Sequence, residues 1–261
     1  FGSKYADASS APASVVLGVE FSHDGASISL AVAGSPFIEV YPWSSASGFG
    51  TKYSNPATLP QGPCWNTAWS PDGSDIACAG FTSPYITVYP WDGGFGTKYS
   101  NPSSLPSANG RDVSWSADGS DIALAADSSP YIFVYPWDGG FGTKYSDPDT
   151  LPAGAALGCA FGPDNDLAVT HYNSPYITVY PWDGGFGTKY SDASSLNTNW
   201  GYSLKFSPDG TVLAGDVNDE PYIFAYPWTS GTGFGTKYSD PDTLPPDNGQ
   251  KCAWSQSWGG H

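Results

Sequence analysis

The chain contains few basic residues, no methionine and no long apolar segment. Lysine and arginine contribute 9 residues against 25 aspartates and glutamates, so the net charge is −16. Nucleic-acid binding depends on clustered positive charge that neutralises phosphates, so we expect no nucleic-acid partner. No run of 18 apolar residues is present, and we therefore expect no insertion into a membrane. The sequence begins at Phe1, which indicates either a removed leader or the mature part of a longer product.

Sequence patterns that carry common chemistry are also missing. His23, His171 and His261 occupy unrelated positions and are expected to lie exposed in turns, and no Gly-x-Ser-x-Gly motif occurs. No CxxC pair or Cys/His cluster has the spacing of a zinc site. The hairpin aspartates could ligate calcium, but they lack the Asp-x-Asp-x-Asp-Gly loop and are predicted to bond their own turns; they are Asp72 and Asp75, Asp118 and Asp121, and Asp164 and Asp166. We therefore predict no catalytic residue, no metal site and no cofactor.

What the sequence does contain is a block of about 46 residues that repeats along its whole length. Self-similarity with a period in the mid-forties is typical of repeat folds built from small sheets arranged around an axis. Two motifs mark the repeat. Tyr-Pro-Trp ends at Trp43, Trp91, Trp137, Trp182 and Trp228, and Phe-Gly-Ser/Thr-Lys-Tyr begins at Phe1, Phe49, Phe95, Phe141, Phe186 and Phe234.

Each repeat is predicted to form four short strands. In the third copy, 112–116 and 121–125 alternate between apolar and polar residues, and 131–135 is rich in β-branched and aromatic residues. Asp118-Gly119 and Ser129-Pro130 turn the chain between these strands, and 141–145 is the predicted fourth strand. No helical periodicity occurs, so the fold class is predicted to be all-β.

These motifs resemble those of a known family. Ser70-Pro-Asp-Gly73 and the Trp-Asp dipeptides that begin at Trp91, Trp137 and Trp182 are similar to the hairpin and strand-closing motifs of WD40/YVTN-like β-propellers. The resemblance implies a β-propeller, and the five complete repeats predict five blades of four antiparallel strands, with surplus terminal strands. The complete unit is also similar to repeat proteins predicted in marine bacteriophages, which implies a virion or secreted surface protein.

The repeats assign the chain to a single propeller domain, 1–261, with an unmatched strand at each end. An orphan outer strand covers 1–9, and an orphan inner strand covers about 250–256. The five complete repeats cover about 14–56, 64–102, 110–148, 155–193 and 202–241.

The surplus ends suggest a function, because an unpaired strand is a template for pairing with another chain. We predict an extracellular or virion structural protein that assembles with copies of itself into an oligomer or filament, through strand completion or blade surfaces. An overlapping closure or a frayed end within a monomer is the alternative use of these ends. The residues expected to mediate self-assembly are Phe1, Lys4, Tyr5, Trp200, Trp254 and Trp258.

The repeated aromatic residues suggest a second function, that of a multivalent lectin-like adhesin that binds surface glycans. Weak sugar sites on one rigid ring would gain strength through avidity. The same tryptophans could instead pack between neighbouring blades, because large aromatic residues dominate protein cores. The candidate ligand-binding residues are Trp43, Trp91, Trp137, Trp182, Trp228, Tyr85, Tyr131, Tyr176 and Tyr222.

The four cysteines fall into two groups. Cys64 and Cys78 lie on strands predicted to be adjacent, so the sequence allows a disulfide between them without deciding it. Cys159 and Cys252 share a repeat position and are expected to fill core space as thiols.

Propeller enzymes place unique polar residues at one central pocket, and none stands out from the repeats. We therefore predict that the protein is not an enzyme.

Overall fold

The computed structural model describes residues 4–195 and 199–254, and within these ranges it contains five antiparallel sheets and no helix. Sheet 1 contains β1 (Val16–Phe21), β2 (Ser27–Val32), β3 (Ile38–Ser44) and β4 (Gly48–Phe49). Sheet 2 contains β5 (Cys64–Trp69), β6 (Asp75–Gly80) and β7 (Ile86–Pro90), and sheet 3 contains β8 (Gly110–Trp115), β9 (Asp121–Ala126) and β10 (Ile132–Pro136). Sheet 4 contains β11 (Ala156–Phe161), β12 (Asp166–His171) and β13 (Ile177–Pro181), and sheet 5 contains β14 (Leu204–Phe206), β15 (Val212–Asp216), β16 (Ile223–Thr229) and β17 (Gly233–Phe234).

Each sheet is a meander, and in sheets 1, 2, 3 and 5 an aspartate closes the first turn, as the sequence predicts. In sheet 3, the Asp118 carboxylate accepts the backbone N–H of Ser120 at 3.0 Å and the Ser116 hydroxyl at 2.7 Å. Gly119 follows with a φ of 76°, in the left-handed region that glycine adopts without strain. Asp72 closes the turn of sheet 2 in the same way, accepting the Ser74 N–H at 3.0 Å. The prediction of structural turns is confirmed at both aspartates.

The first strands of successive sheets lie side by side, β1 beside β5, β5 beside β8, β8 beside β11 and β11 beside β14. One face of each sheet, here called the trailing face, packs against the leading face of the next. Between sheets 3 and 4, for example, Ile132 and Val134 of the trailing face contact Leu167 and Val169 of the leading face, and all four are buried. The core is therefore a series of sheet-to-sheet layers, as in the propeller-like, all-β architecture that the repeats predict.

The Tyr-Pro-Trp motif places an indole between each sheet and the one before it. The Trp182 Nε1–H donates to the Asp121 carboxylate of sheet 3 at 2.8 Å, and Trp228 donates to Asp166 of sheet 4 at 2.9 Å. The tyrosine of the preceding Phe-Gly-Thr-Lys-Tyr segment packs edge-on against the same ring, with Tyr145 and Trp182 centroids 4.9 Å apart. These aspartates were read from the sequence as turn residues, but they are buried and join neighbouring sheets.

The predicted fourth strand is largely absent from the described residues. β4 and β17 have two residues each, and in the other sheets a single bridge, such as Trp137 to Phe141, stands in their place. Proline at position 136 has no N–H to donate to a ladder, so only its carbonyl bonds the segment, accepting from Gly142 at 2.9 Å. Residues 4–9 and 250–254, predicted as orphan strands, are likewise not strands.

The chain of sheets does not close by direct packing of sheet 5 on sheet 1. Val16, Val19 and Phe21 on the leading face of β1 are exposed. At the other end, residues 250–254 lie against β14, where the Cys252 N–H donates to the Ser203 hydroxyl at 3.4 Å. Five sheets and a propeller-like arrangement are therefore present, without a closed ring of five blades in the described residues.

Two further expectations concern histidine and membranes. His171 was expected to be exposed, but it is fully buried at the end of β12, where its Nε2 lies 2.9 Å from the Thr178 hydroxyl. Burial lowers the pKa of His171 to about 4. His23 is exposed as expected, and His261 lies outside the described residues.

The described ranges contain no helix that could cross a membrane.

Candidate functional site

A cavity of about 250 Å³ lies where the first strands end, and each of the five sheets contributes to its wall. Glu20 of sheet 1, Ser114 of sheet 3 and Lys205 of sheet 5 supply polar groups, and Trp115 and Phe161 supply apolar surface. Glu20, Ser114 and Lys205 occupy the same repeat position, between the two residues of the first strand that face the neighbouring sheet or, in sheet 1, the open side. In a pleated strand the residue between two inward-facing neighbours points the other way. The repeat therefore brings these three side chains to one place.

The charges around this cavity influence one another. Burial raises the pKa of Glu20 to about 7, and the nearby Lys205 partly offsets this rise. Burial alone would lower the pKa of Lys205, but the carboxylates of Glu20 and Asp112 outweigh it, and the pKa is raised. Asp112 is fully buried and accepts the N–H groups of Val113 at 3.0 Å and Cys159 at 3.1 Å.

These polar side chains also have a structural role, because the first strand of each sheet is an edge with unpaired N–H groups. The Glu20 carboxylate accepts the Trp69 N–H at 3.0 Å, and the Ser114 hydroxyl accepts the Phe161 N–H at 3.0 Å. In both pairs the acceptor lies in one sheet, and the N–H group that it binds lies in the first strand of the next sheet. The cavity residues hold successive sheets together around their common centre.

The arrangement can also carry out proton transfer. A carboxyl group that titrates near neutral pH is suited to act as a general base, and an ammonium group in the same cavity can stabilise a developing negative charge. No group of three His, Cys, Asp or Glu side chains that could hold a metal occurs in residues 4–195 and 199–254. The sequence analysis missed this centre. The signal was a first-strand position at which one repeat has an acidic residue and another a basic one, occupied by Glu20, Ala68, Ser114, Ala160, Lys205 and Ala253.

The two ends of the sheet series form a second candidate site. The leading face of sheet 1 exposes Val16, Val19 and Phe21, and the trailing face of sheet 5 exposes Ile223. No other sheet leaves these repeat positions open, because a neighbouring sheet covers them. The open faces are defined here as the end faces.

The residues predicted to mediate self-assembly lie at different places around these ends. Tyr5 packs edge-on against Trp43 of sheet 1, with centroids 5.0 Å apart, and Lys4 pairs with Asp7 at 2.7 Å in solvent. The Trp254 Nε1–H donates to the Lys205 carbonyl at 3.1 Å. Trp200 instead packs against Tyr172 and Tyr202, at the opposite end of the strands from the cavity. Phe1 and Trp258 lie outside the described residues.

The aromatic residues predicted to bind glycans are mostly packed between sheets. Trp137, Trp182 and Trp228 are buried, and Trp43 and Trp91 are partly buried beside aromatic neighbours. These positions correspond to the packing alternative, and the three buried indoles have no exposed face for a sugar ring. The tyrosines that follow the second turn, Tyr85, Tyr131, Tyr176 and Tyr222, are partly buried and have positive φ values of 64–71°.

Comparison with known proteins supports the fold. The chain is similar to the crystal structure of a proposed 6-phosphogluconolactonase from Bacteroides uniformis, with a TM-score of 0.63 and 18% sequence identity over 83% of this chain and 68% of the other. No protein-family model matches the chain, and no curated protein sequence matches it. At this identity the likeness establishes the propeller-like fold.

The likeness contradicts the prediction that the chain is not an enzyme, because the similar structure belongs to a protein proposed to be one. The prediction is also wrong about the centre of the molecule. It depended on the absence of unique polar residues at a centre, and Glu20 and Lys205 line such a centre. Each of these two charges occurs in a single repeat, and the two residues are remote in the sequence.

Proposed function

We propose that the five sheets are five blades of a propeller left open between sheet 5 and sheet 1, and that copies of the chain associate head to tail there. The observation that carries this proposal is the exposure of Val19. Its side chain is 59% exposed, whereas Val113 and Cys159 at the same repeat position are 0% exposed because a preceding sheet covers them. An apolar face of this kind marks an interaction surface.

A second copy is the partner that fits, because the free faces are the two halves of the interface that the chain makes internally. Within the chain, the trailing face of each of sheets 1 to 4 packs on the leading face of the following sheet. No sheet follows sheet 5 in the described residues, and on its trailing face Ile223 is 41% exposed although Ile132 at the same repeat position is 0% exposed. Two different surfaces then meet, so the contact is heterologous and continues into a filament or closes into a ring.

The N-terminal segment 4–10 already covers the outer part of the leading face. Tyr5 packs on Trp43 as Tyr190 packs on Trp228, with centroids 5.0 Å apart in both pairs. Tyr238 is the corresponding tyrosine of sheet 5 and is 51% exposed, since no sheet follows it. Head-to-tail docking would bring Tyr238 to the place that Tyr5 holds. The surplus N-terminal segment therefore competes with the incoming copy for the surface of Trp43.

Sedimentation velocity over a range of concentrations tests the proposal, with one charged substitution on each end face. We expect the mass of the unmodified chain to rise with concentration, and Val19→Glu and Ile223→Glu each to remain monomeric. Mixing the two variants should give dimers, because each retains one intact and complementary face. Leu105→Glu, which changes an exposed apolar residue between sheets 2 and 3, is the matched control and should behave like the unmodified chain.

Two results would contradict the proposal. A chain that stays monomeric at every concentration would mean that the end faces are covered within the molecule. Association that survives in Ile223→Glu but not in Val19→Glu would indicate contact between identical faces instead. The extracellular or virion setting expected from the sequence stays a prediction.

A second candidate function is hydrolysis of a small ester in the central cavity, and the observation that favours it is Glu20 beside Lys205. Glu20 would accept a proton from water as the water attacks the carbonyl carbon, and Lys205 would stabilise the negative oxygen. The proton would then pass to the departing alcohol. The name of the similar structure refers to a lactone, which is a cyclic ester of this chemical class.

Hydrolysis of 4-nitrophenyl acetate tests this second candidate. We expect the rate to rise through a pH of about 7 and then level off, following the pKa of Glu20. Glu20→Gln should remove both the rate above background and the inflection, and the exposed Asp138→Asn should change neither. An unchanged pH profile in Glu20→Gln would exclude Glu20 as the base.

A further inference from the structure

Two cysteine side chains of sheet 2 are in direct contact. Cys64 begins β5 and Cys78 lies in β6, and their Sγ atoms are 2.9 Å apart. This distance is shorter than the roughly 3.5–4.0 Å at which non-bonded heavy atoms pack best, and within about 1 Å of the length of a disulfide bond. We propose that Cys64 and Cys78 are joined by a disulfide bond that cross-links β5 to β6.

The strand register brings the two thiols together across the pair. Cys64 lies opposite Gly80, and Cys78 lies opposite Thr67, so the two cysteines meet diagonally beside a bulge at Cys64. The same positions in sheet 3 hold Gly110 and Leu124. The core of a sheet can therefore be packed at these positions without cysteine. The short Sγ–Sγ distance distinguishes Cys64 and Cys78 from cysteines that only fill space in a core.

The other two cysteines do not compete for this pairing. Cys159 Sγ lies 3.7 Å from the Asp112 carbonyl oxygen, and Cys252 Sγ lies 3.5 Å from the Ser203 hydroxyl. Cys159 belongs to sheet 4 and Cys252 to the segment beside β14, whereas Cys64 and Cys78 share one buried cluster between sheets 1 and 2. The geometry selects one of the possible pairings of four cysteines.

The bond forms by exchange with a small-molecule disulfide such as oxidised glutathione. One cysteine thiolate attacks that disulfide and releases one glutathione thiol, leaving a mixed disulfide on the chain. The second cysteine thiolate attacks the mixed disulfide and releases the second glutathione thiol. The two cysteine thiols lose two protons and two electrons, and the glutathione disulfide receives the two electrons as it becomes two thiols.

This exchange belongs to folding rather than to the folded state. Both side chains are buried, and burial raises the pKa of the Cys64 thiol, so the attacking thiolate is scarce once sheet 1 covers sheet 2. The bond closes a short loop that contains the first turn of sheet 2. The bond cross-links sheet 2, and only sheet 1 lies between sheet 2 and the leading end face.

Refolding of the full chain in a mixture of reduced and oxidised glutathione tests the proposal. We expect the intact mass to fall by about 2 Da, two rather than four thiols to react after denaturation, and peptide mapping to link Cys64 to Cys78. The thermal midpoint should exceed that of the reduced chain by roughly 5–10 °C. Cys159→Ser is the matched control and should retain the mass change, whereas Cys64→Ser and Cys78→Ala should each lose it.

Four reactive thiols after refolding, or a link to Cys159 or Cys252, would overturn the proposal. Because the mass and thiol count are measured on the unmodified chain, neither result depends on whether a cysteine variant folds.

Discussion

The Asp121 carboxylate joins three repeat motifs at a single buried point. It accepts the Tyr145 hydroxyl at 2.8 Å and the Trp182 Nε1–H at 2.8 Å, and so connects sheet 3 to sheet 4. Trp182→Phe keeps an aromatic ring but leaves the carboxylate without one donor. We expect a loss of about 1–3 kcal/mol in the free energy of unfolding, measured by urea denaturation.

Trp91→Phe is the matched control for this prediction. Trp91 occupies the same repeat position, but the preceding sheet has Ser27 where sheets 2, 3 and 4 have an aspartate. The loss should therefore be smaller than for Trp182→Phe. Equal losses in the two variants would show that the cost comes from ring volume and not from the hydrogen bond.

At the scale of single residues, the sequence predicted which strand residues are buried better than which partners the polar side chains bind. The alternation in the first strands correctly placed Val113 and Trp115 in the core. It could not tell Asp118, whose partners lie in its own turn, from Asp121, whose partner lies in the next sheet, because that difference depends on how two repeats pack. The same limit hid Glu20, whose importance arises only when Lys205, remote in the sequence, is brought to the same cavity.

The first turn of each sheet is the element most fully specified by its own residues. In sheet 3 the N–H of Ser120, followed by the Ser116 hydroxyl, holds the pKa of Asp118 below its usual value. A carboxyl group with a lowered pKa in the folded state stabilises the protein above the unfolded pKa, and this stability is lost as pH falls through the folded pKa. We expect Asp118→Asn to cost about 0.5–1 kcal/mol near neutral pH, because the group is exposed and screened.

Urea denaturation at neutral pH and again at a pH of about 2 checks this prediction, since the lower pH lies well below the unfolded-state pKa of about 3.9, where the contribution of the carboxylate is reduced. The difference between Asp118→Asn and the unmodified chain should shrink at low pH. Asp138→Asn, in the exposed turn after the third strand, should cost less at either pH. A pH-independent difference at Asp118 would mean that the charge is not what stabilises the turn.

The fourth strand shows where element prediction fails. Phe141-Gly-Thr-Lys-Tyr145 has residues that suit a strand, yet it makes one bridge at Phe141 and one further backbone bond, from the Tyr145 N–H to the Val134 carbonyl at 3.0 Å. Its main contact is made by Tyr145 on the next sheet. The motif is repeated because it joins neighbouring sheets, and repetition alone cannot separate that role from pairing within a sheet.

At the scale of the whole molecule, the five sheets form an open series around a common centre, and each sheet is stabilised by its neighbours. Sheets 2, 3 and 4 are covered on both faces, whereas sheets 1 and 5 each have an end face. Local opening should therefore be easiest at the two ends. The sequence predicted the series and its period, but not which faces remain open, because that depends on where the ends of the chain lie in space.

Hydrogen exchange measured by mass spectrometry tests this order and the proposed association together. At low protein concentration we expect the amides of β9 in sheet 3 to exchange slowest, and those of β1 and β14 to exchange fastest among the first strands. At high concentration the exchange of β1 and β14 should slow while that of β9 is unchanged, because docking of another copy covers only the end faces. In Val19→Glu this dependence on concentration should disappear. Equal protection of all five sheets at low concentration would mean that sheets 1 and 5 are covered within a single molecule, and the end faces would then not be available to a partner.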